Sequence, residues 1–515
     1  MSMKGLSVCG RGKVAIWAML GLVSLGGCVR MGPDYHTPKE NDQPAAWQKA
    51  ADVRERRSRG FTSPATVDVS WWQQWHDPVL NRLVERLSRE NLDIRQAATR
   101  VLQARGQLKV VAAEGVPSLS WAGSYTWTQQ SRKGFLTLAQ PAPGSNLQYE
   151  QYANIGSASW DMDVFGRIRR LVEAGKARVD EQQAYARGIA LARLADFVEA
   201  YLRLRAVQAQ IVLTERHQAL VRHDLALVLA RQKEGAANDL EVAQARGQVE
   251  QTDSALPPLR DMQAALINTM GVMLDLPPRA LEEDLLPVQP QLDVPVSVGV
   301  DVPSSLAQRR PDIMVADARL HAATAEVGAA KAAFYPDINL AGNLGTQSLS
   351  AGDFFMPAAK YFTLGPTVNV PIFEGGRLRG TLALKKAEQQ EAALAYRQTV
   401  LNAWRDVDDA ITRLAQLQLR HQHVAELVAQ NRKAYRAARL QYEDGAVPFL
   451  EVDRAESMLL SSQVTLADMR METTLAAVSL YRALGGGWQS VLAATGQRMT
   501  AEAGRADGGR SRAGR

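Results

Sequence analysis

Two nearly matching stretches decide the fold of this chain: Asp163-Val-Phe-Gly-Arg-Ile-Arg169 and Pro371-Ile-Phe-Glu-Gly-Gly-Arg-Leu-Arg379. Each one follows a segment of alternating polarity and opens a stretch of about 70 residues without proline. An α-helix of that length spans roughly 100 Å, at about 1.5 Å per residue. Because helices this long are stable only when they pack on other helices, the stretches predict a helical tunnel or stalk.

The first and second halves of the chain resemble each other around these stretches. Asn91-Leu-Asp-Ile94 matches Arg310-Pro-Asp-Ile313, and Glu234 to Glu241 matches Asp444 to Glu451. Similarity at such a distance indicates that one structural unit occurs twice. Each half is predicted to contain a helix, a β-hairpin and then two long helices.

The hairpin segments alternate in polarity. Between Ser118 and Thr128, the apolar residues Leu119, Trp121, Tyr125 and Trp127 share one face, and serine and threonine residues occupy the other. Strands of about ten residues with an apolar, aromatic face are typical of transmembrane β-barrels. A soluble sheet with one buried face is the alternative. Three further segments alternate in the same way: 156–164, 338–344 and 362–372.

The number of strands has a consequence for assembly. Four strands cannot close a barrel, and an open sheet edge is not tolerated in lipid. Two copies would supply eight strands, and a barrel of about eight strands is filled by its own side chains. Three copies supply twelve strands. If the strands span a membrane, the sequence therefore predicts a homotrimer.

The N-terminal segment predicts export and lipid attachment. Lys4, Arg11 and Lys13 precede a short apolar run, which is typical of a signal peptide and too short for a spanning helix. The ending Leu25-Gly-Gly-Cys28 resembles a bacterial lipobox, in which the cysteine thiol receives a diacylglycerol. Val29 follows, and this favours the outer membrane. An ordinary signal peptide with an incidental cysteine is the alternative.

The charge balance gives no sign of a nucleic-acid partner. The formal net charge of +6 comes from the signal segment and from the arginine-rich tail after Gln497, so the body of the chain is near neutral. The composition of the tail predicts disorder. Cys9, the other cysteine, lies in the signal segment, so no disulfide is expected in the mature chain.

The sequence offers no chemistry for catalysis. No spacing of its 7 histidines fits a zinc site, and neither a glycine-rich phosphate loop nor a nucleophile elbow is present. We expect no catalytic residue, no metal and no cofactor, and the chain is not predicted to be an enzyme.

Taken together, these motifs resemble the TolC/OprM-like outer-membrane efflux proteins, specifically the lipoprotein (NodT-type) branch associated with resistance-nodulation-division pumps. The resemblance implies a mainly α fold with a β-barrel part. Four transmembrane strands per chain would form a 12-stranded barrel in a homotrimer, which a long coiled-coil tunnel continues. The matching motifs run along nearly the whole mature chain: Gly32-Pro-Asp-Tyr35, Trp71-Trp72, Asp163 to Arg167, Arg310 to Ile313, Pro371 to Arg377 and Ala483-Leu-Gly-Gly-Gly-Trp488.

The resemblance also assigns the parts of the chain. It implies a passive exit duct for drugs or other toxic small molecules, located in the outer membrane and extending into the periplasm. Its partners would be a periplasmic membrane-fusion adaptor, an inner-membrane pump and outer-membrane lipid. The predicted segments are a signal peptide (1–27), an N-terminal segment and collar (28–80), a first repeat (81–274, hairpin 118–165), an equatorial linker (275–302), a second repeat (303–484, hairpin 337–373) and a C-terminal collar segment with a tail (485–515).

Small residues mark the turns and bends of this predicted duct. Glycine at a helix end is typical of an αα-hairpin, and the resemblance implies that the two hairpin turns also contact the adaptor. A glycine is further expected wherever a strand bends into a helix. The turn residues are Gly235, Ala236, Ala237, Gly445, Ala446 and Val447, and the bend residues are Gly166, Gly375 and Gly376.

A periplasmic gate is implied just past the second turn. In the family, an apolar residue and acidic residues from three chains narrow the tunnel here. This chain departs from the family pattern at Arg454, which occupies the second acidic position. Ordinary polar residues on a solvated helix face are the alternative. The candidate gate residues are Tyr442, Leu450, Glu451, Asp453 and Arg454.

Two other functions remain open on the sequence. An outer-membrane duct of a type I protein secretion system would share the strands and the long helices. A structural lipoprotein stalk without a pore would share the helices, but it has no need of four strands with polar faces.

Overall fold

The computed structural model describes residues 30–38, 62–63, 68–129, 131, 148–293, 298–299 and 309–492. The predicted signal peptide, Cys28 and the C-terminal tail lie outside the described residues. The helices are α1 (Pro78–Glu90), α2 (Leu92–Ala113), α3 (Arg167–Lys233), α4 (Asp239–Met273), α5 (Glu282–Leu285), α6 (Pro311–Ala332), α7 (Arg377–Glu443) and α8 (Phe449–Ala483). The strands are β1 (Thr62–Ser63), β2 (Ser118–Gln129), β3 (Gln148–Asp161), β4 (Val298–Gly299), β5 (Asp337–Ser348) and β6 (Lys360–Asn369).

The two longest helices, α3 and α7, have 67 residues each and cover the two proline-free stretches. Along α3, Leu194, Val198 and Tyr201 are fully buried at a spacing of three and four residues. This spacing places them on one face of the helix, which packs inward. The mainly α fold with long helices is therefore confirmed.

The structure differs from the sequence prediction before the first hairpin, where two helices replace one. Asn91 separates α1 from α2, and its side-chain oxygen accepts a hydrogen bond from the backbone N–H of Ile94 at 3.1 Å. Asp77 caps α1 in the same way, with Pro78 as the first helical residue. A side chain that satisfies free backbone N–H groups favours a helix start, so Asn91 begins a new helix.

The predicted hairpins form one antiparallel sheet with the strand order β2-β3-β5-β6. β3 begins at Gln148, earlier than the predicted segment, whereas β6 ends at Asn369. Val370 and Ile372 therefore follow the last strand. Pro371 lies between them, and a proline has no N–H for a strand ladder.

The chain forms two compact units. The first consists of Met1–Pro38, Leu102–Asp180 and Asp317–Ala395, and it includes the four-stranded sheet. In it, the buried Arg170 pairs with Asp34 at 2.9 Å and with Glu173 at 2.8 Å. Because the guanidinium also donates to the carbonyl of Met31, it fixes the N-terminal segment on α3.

The second unit consists of Lys39–Val101, Glu181–Ala316 and Tyr396–Arg515. Aromatic side chains form one part of its core. Trp71 stacks on Tyr481 with the ring centroids 5.1 Å apart, and its indole N–H donates to the carbonyl of Gly486 at 3.1 Å. The predicted N-terminal and C-terminal collar segments thus meet in one core. Among the described helices, none carries an apolar stretch long enough to cross a membrane.

Candidate functional site

The two turns that join the long helices share one backbone geometry. Gly235 and Gly445 have φ values of +75° and +74°. The N–H of Ala236 donates to the carbonyl of Arg231, and the N–H of Ala446 donates to that of Gln441, both at 2.8 Å. This bond pattern with a left-handed glycine is the Schellman motif, which ends a helix while satisfying its last carbonyls. The start of α4 is fixed by a capping box between Asn238 and Glu241.

A compact apolar cluster, which we call the tip core, lies beneath the two turns. The ring of Tyr442 meets that of Phe449 edge to face at 5.7 Å, and the guanidinium of Arg231 lies 4.6 Å from the centre of the Tyr442 ring. All four long helices contribute, so the tip core holds both hairpins together. Its buried side chains are Val228, Val242, Ala245, Tyr442, Phe449 and Val452.

The predicted turn residues divide into two kinds. Ala236 and Ala446 are exposed, and both are therefore available to a partner surface. Ala237 and Val447, in contrast, are half-buried and pack against the tip core. A substitution at Val447 consequently changes packing as well as surface, whereas one at Ala446 changes the surface alone.

The predicted gate residues lie in different environments. Tyr442 is buried in the tip core and Leu450 is half-buried. Glu451 and Arg454 are exposed, and they form an ion pair along α8 at 3.1 Å. Asp453 is half-buried, and its pKa is raised by burial and by the charge of Glu456. The structure thus places one member in the core and an ion pair on the surface of α8.

A buried ionisable cluster beside the tip core was missed from the sequence. His217 and Asp224 on α3 and Glu456 on α8 are each less than one-tenth exposed. A signal existed, because the spacing of seven residues places His217 and Asp224 on the apolar face of α3 that also carries Val221 and Val228. Within the described ranges, no group of three or more His, Cys, Asp or Glu side chains is arranged for a metal ion.

The strand-to-helix bends contain the three glycines singled out in the sequence. Gly166, Gly375 and Gly376 have φ values of +81°, +58° and +89°, a region that favours glycine. At the first bend, the carboxylate of Asp163 accepts hydrogen bonds from the N–H groups of Ile168 and Arg169, at 3.1 and 2.8 Å. Asp163 therefore caps α3 at the point where the chain leaves the sheet.

The sheet presents an apolar surface and two open edges. Within the described residues, β2 and β6 each pair with one strand only, so each leaves a row of backbone groups without a strand partner. Aromatic and aliphatic side chains project from the sheet into open space. The most exposed of them are Leu119 (82%), Trp121 (68%), Phe362 (76%) and Leu364 (75%).

Known proteins share this organisation. A family model described as "Outer membrane efflux protein" matches residues 83–269 and 302–486, one match in each half of the chain, which confirms the internal repeat. The chain is 30% identical over 479 residues to the toluene efflux pump outer membrane protein TtgC of Pseudomonas putida, covering 93% of this chain and 96% of the relative. It is also 30% identical to outer membrane protein OprJ of Pseudomonas aeruginosa, covering 92% and 95%.

Solved structures agree with the sequence relatives. The outer-membrane channel OprN aligns with a TM-score of 0.81 at 28% identity, covering 89% of this chain and all of that one. CusC aligns with a TM-score of 0.75 at 27% identity, covering 88% and 99%. The match to the family model covers more than half of the chain, and the relatives match almost end to end. This chain therefore belongs to the outer membrane efflux protein family.

Proposed function

We propose that this outer-membrane channel component is the passive exit duct of a tripartite efflux system and that it works as a homotrimer. The observation that carries the proposal is the four-stranded sheet, which has two open edges and an exposed apolar face. Open edges are not tolerated in lipid, so the sheet must continue into further copies. Three copies supply twelve strands around a lumen.

The proposed partners follow from the ends of the duct. The paired turns expose the small residues Ala236 and Ala446 beside left-handed glycines, and such a surface allows a periplasmic adaptor protein to approach the backbone closely. An inner-membrane pump would supply the energy, since passage through a duct needs no reaction. No catalytic role is proposed for this chain.

The proposed cargo is a class of toxic small molecules. The relatives are named for toluene efflux, antibiotic efflux and cation efflux, although they are similar to this chain over almost their whole length. One duct architecture thus serves chemically different cargo. We infer that the pump, rather than the duct, selects what is exported.

A reconstitution experiment tests the proposal. The purified protein is inserted into planar bilayers, and its oligomeric state is measured in detergent by crosslinking. We expect discrete conductance steps and a crosslinked trimer. A stalk without a pore would give no conductance, and a protein that stays monomeric in detergent would contradict the closed barrel.

A cellular experiment distinguishes efflux from protein secretion. The chain is expressed with its own adaptor and pump in a strain that lacks its outer-membrane ducts. Lower accumulation of a fluorescent efflux substrate is the expected result. Unchanged dye accumulation, together with a new secreted protein in the medium, would assign the chain to protein secretion instead.

A further inference from the structure

Three ionisable side chains are buried together between α3 and α8, one turn from the tip core. His217, Asp224 and Glu456 are 4%, 7% and 6% exposed. Buried charges are costly unless they are paired, so such a group is stable only in suitable protonation states. The burial occurs within one protomer and therefore does not depend on assembly.

The structure places His217 against Glu456 and buries Asp224 close enough to Glu456 for the two carboxyl groups to interact. His217 Nδ1 lies 3.2 Å from Glu456 Oε1, which is ion-pair distance when the imidazole is protonated. Burial, followed by the charge of Glu456, raises the pKa of Asp224 to about 6. Within the described part of the chain, His217 Nε2, Asp224 Oδ2 and Glu456 Oε1 all lack a hydrogen-bond partner. The two buried carboxyl groups therefore have few partners that could neutralise their charge.

Charged or titratable groups from α3, α7 and α8 face the cluster. On α7, Arg439 counteracts the rise in the pKa of Asp224, and Tyr435 has its own pKa raised by burial and by the charges of Glu456 and Asp224. His223 on α3 also counteracts the rise. On α8, burial and then the charge of Glu456 raise the pKa of Asp453.

The charged groups between α3 and α4 form ion pairs of their own outside the buried cluster. Arg222 pairs with Asp253 at 2.9 Å, and Arg260 pairs with Glu215 at 3.2 Å. Both pairs are exposed, and exposed pairs contribute little to stability. Neither ion pair supplies a counter-charge to the buried cluster.

The position of the cluster connects it to the tip. On α3, Asp224 precedes the tip-core residue Val228 by four residues, and on α8, Glu456 follows Val452 by four residues. Four residues are about one helical turn, so the polar cluster is the next layer of packing below the tip core. An interaction between Asp224 and Glu456 therefore joins α3 to α8 beside the predicted gate.

We propose that Asp224, Glu456 and His217 form a proton-operated latch, in which a proton on Asp224 ties α8 to α3 and its loss loosens the tip. A protonated Asp224 donates a hydrogen bond to the carboxylate of Glu456, which replaces charge repulsion by a bond. His217 on α3 also contacts Glu456 on α8, at 3.2 Å, and so joins the same two helices. The packing of the tip residues therefore depends on the periplasmic pH.

The direction of the pH dependence follows from the sign of the pKa shift. The pKa of Asp224 is higher in the folded protein than its ordinary value of 3.8, so the folded state binds the proton more tightly. The stabilisation is complete below the ordinary value and is lost as the pH rises through about 6. The latch is therefore closed in acid and loosened at neutral pH. Its role in opening the duct rests on the proposed function.

Spin-label mobility at the exposed residue Met458 on α8 tests the latch without any transport measurement. A Met458→Cys variant that also carries Cys28→Ser is labelled, and its mobility is recorded from pH 4.5 to 8. We expect mobility to rise with a midpoint near the pKa of Asp224, about 6. In the Asp224→Asn background the label should stay immobile throughout, because an amide can donate to Glu456 at every pH.

Two further variants test the role of the neighbouring charge and provide a control. Glu456→Gln removes the neighbouring charge and should shift the midpoint to lower pH. Glu215→Gln changes an exposed carboxylate on the same helix and should leave the midpoint unchanged. A midpoint that survives in Asp224→Asn, or that disappears in His217→Gln, would overturn the assignment of the switch to Asp224.

The latch and the duct can fail separately. A label that responds to pH in a protein without conductance would retain the latch and reject the exit duct. Normal conductance with a label that ignores pH would reject the latch and retain the duct.

Discussion

At the scale of single residues, Tyr442 was predicted to belong to the gate, but the structure buries it in the tip core. The ring is 6% exposed and is held between Phe449 and Arg231. Truncation of a large buried aromatic side chain costs about 3–5 kcal/mol, because it removes contacts and leaves a cavity. Tyr442 therefore stabilises the tip core through packing within its own chain.

The pair formed by Glu451 and Arg454 leads to a different prediction. Its side chains are 49% and 62% exposed, and an exposed pair is worth about 0.2–1 kcal/mol. The double change Glu451→Ala and Arg454→Ala should leave the midpoint of urea unfolding nearly unchanged. If the pair narrows the tunnel, single-channel conductance should increase.

The matched control for this prediction is Tyr442→Ala, which should lower the unfolding midpoint and also loosen the tip. A double variant with native conductance would remove Glu451 and Arg454 from the gate. They would then be ordinary polar residues on a solvated helix face.

At the scale of elements, the two helical turns provide a test of adaptor contact. Glutamate at both Ala236 and Ala446 adds charge to exposed positions whose substitution leaves the tip core intact. We expect the double variant to form trimers at native levels but to lose efflux, because bulky charged side chains replace the two exposed alanines at the proposed contact. Efflux is measured as dye accumulation, and trimer level is measured by crosslinking.

Val447 serves as the comparison for the turns. Because it packs against the tip core, Val447→Glu should reduce both stability and efflux. Native efflux in the Ala236→Glu and Ala446→Glu double variant would show that the adaptor binds elsewhere.

The sheet provides a second prediction at this scale. Leu364 on β6 is 75% exposed, and the neighbouring Thr363 points to the opposite face of the strand. An arginine on the lipid face of a barrel costs about 2–4 kcal/mol near the membrane centre, whereas lumen positions tolerate charge. Leu364→Arg should therefore reduce the amount of inserted trimer, while Thr363→Arg should retain it and alter ion selectivity.

The measurement for the sheet is the trimer band in unheated membrane extracts. Equal trimer levels in the two variants would show that the sheet does not have one face in lipid. The two changes add the same charge at adjacent positions, so any difference between them reports the face alone.

At the scale of the whole molecule, the proposed barrel would make the predicted lipid at Cys28 unnecessary for membrane retention. Acyl chains contribute about 0.8 kcal/mol per buried CH₂, whereas a closed barrel is effectively fixed in the bilayer. Cys28→Ser, expressed behind a signal peptide of the non-lipoprotein type, should therefore yield inserted trimer and at least partial efflux. Membrane fractionation and dye accumulation measure the two results, and complete loss of inserted trimer would show that the lipid is essential for assembly.

Much of the fold and part of the site could be predicted from local sequence. The absence of proline over α3 and α7 predicted two long helices, and alternating polarity predicted the strands, because both signals act through neighbouring residues. The turns at Gly235 and Gly445 were also predictable, since a left-handed helix end requires glycine. The break at Asn91 was not predicted, because the apolar pattern continues across it and only the side-chain cap reveals the new start.

By itself, the sequence determined the two repeats, the long helices, the alternating strands and the positions of the turns, because each depends on residues close together in the chain. Only the tertiary structure decided that Tyr442 is buried while Glu451 is exposed, and that Asp224 meets Glu456 across two helices. Periodicity shows which residues share a face but not what packs against that face. The burial and protonation of a side chain depend on that packing, so the buried cluster of His217, Asp224 and Glu456 became visible only in three dimensions.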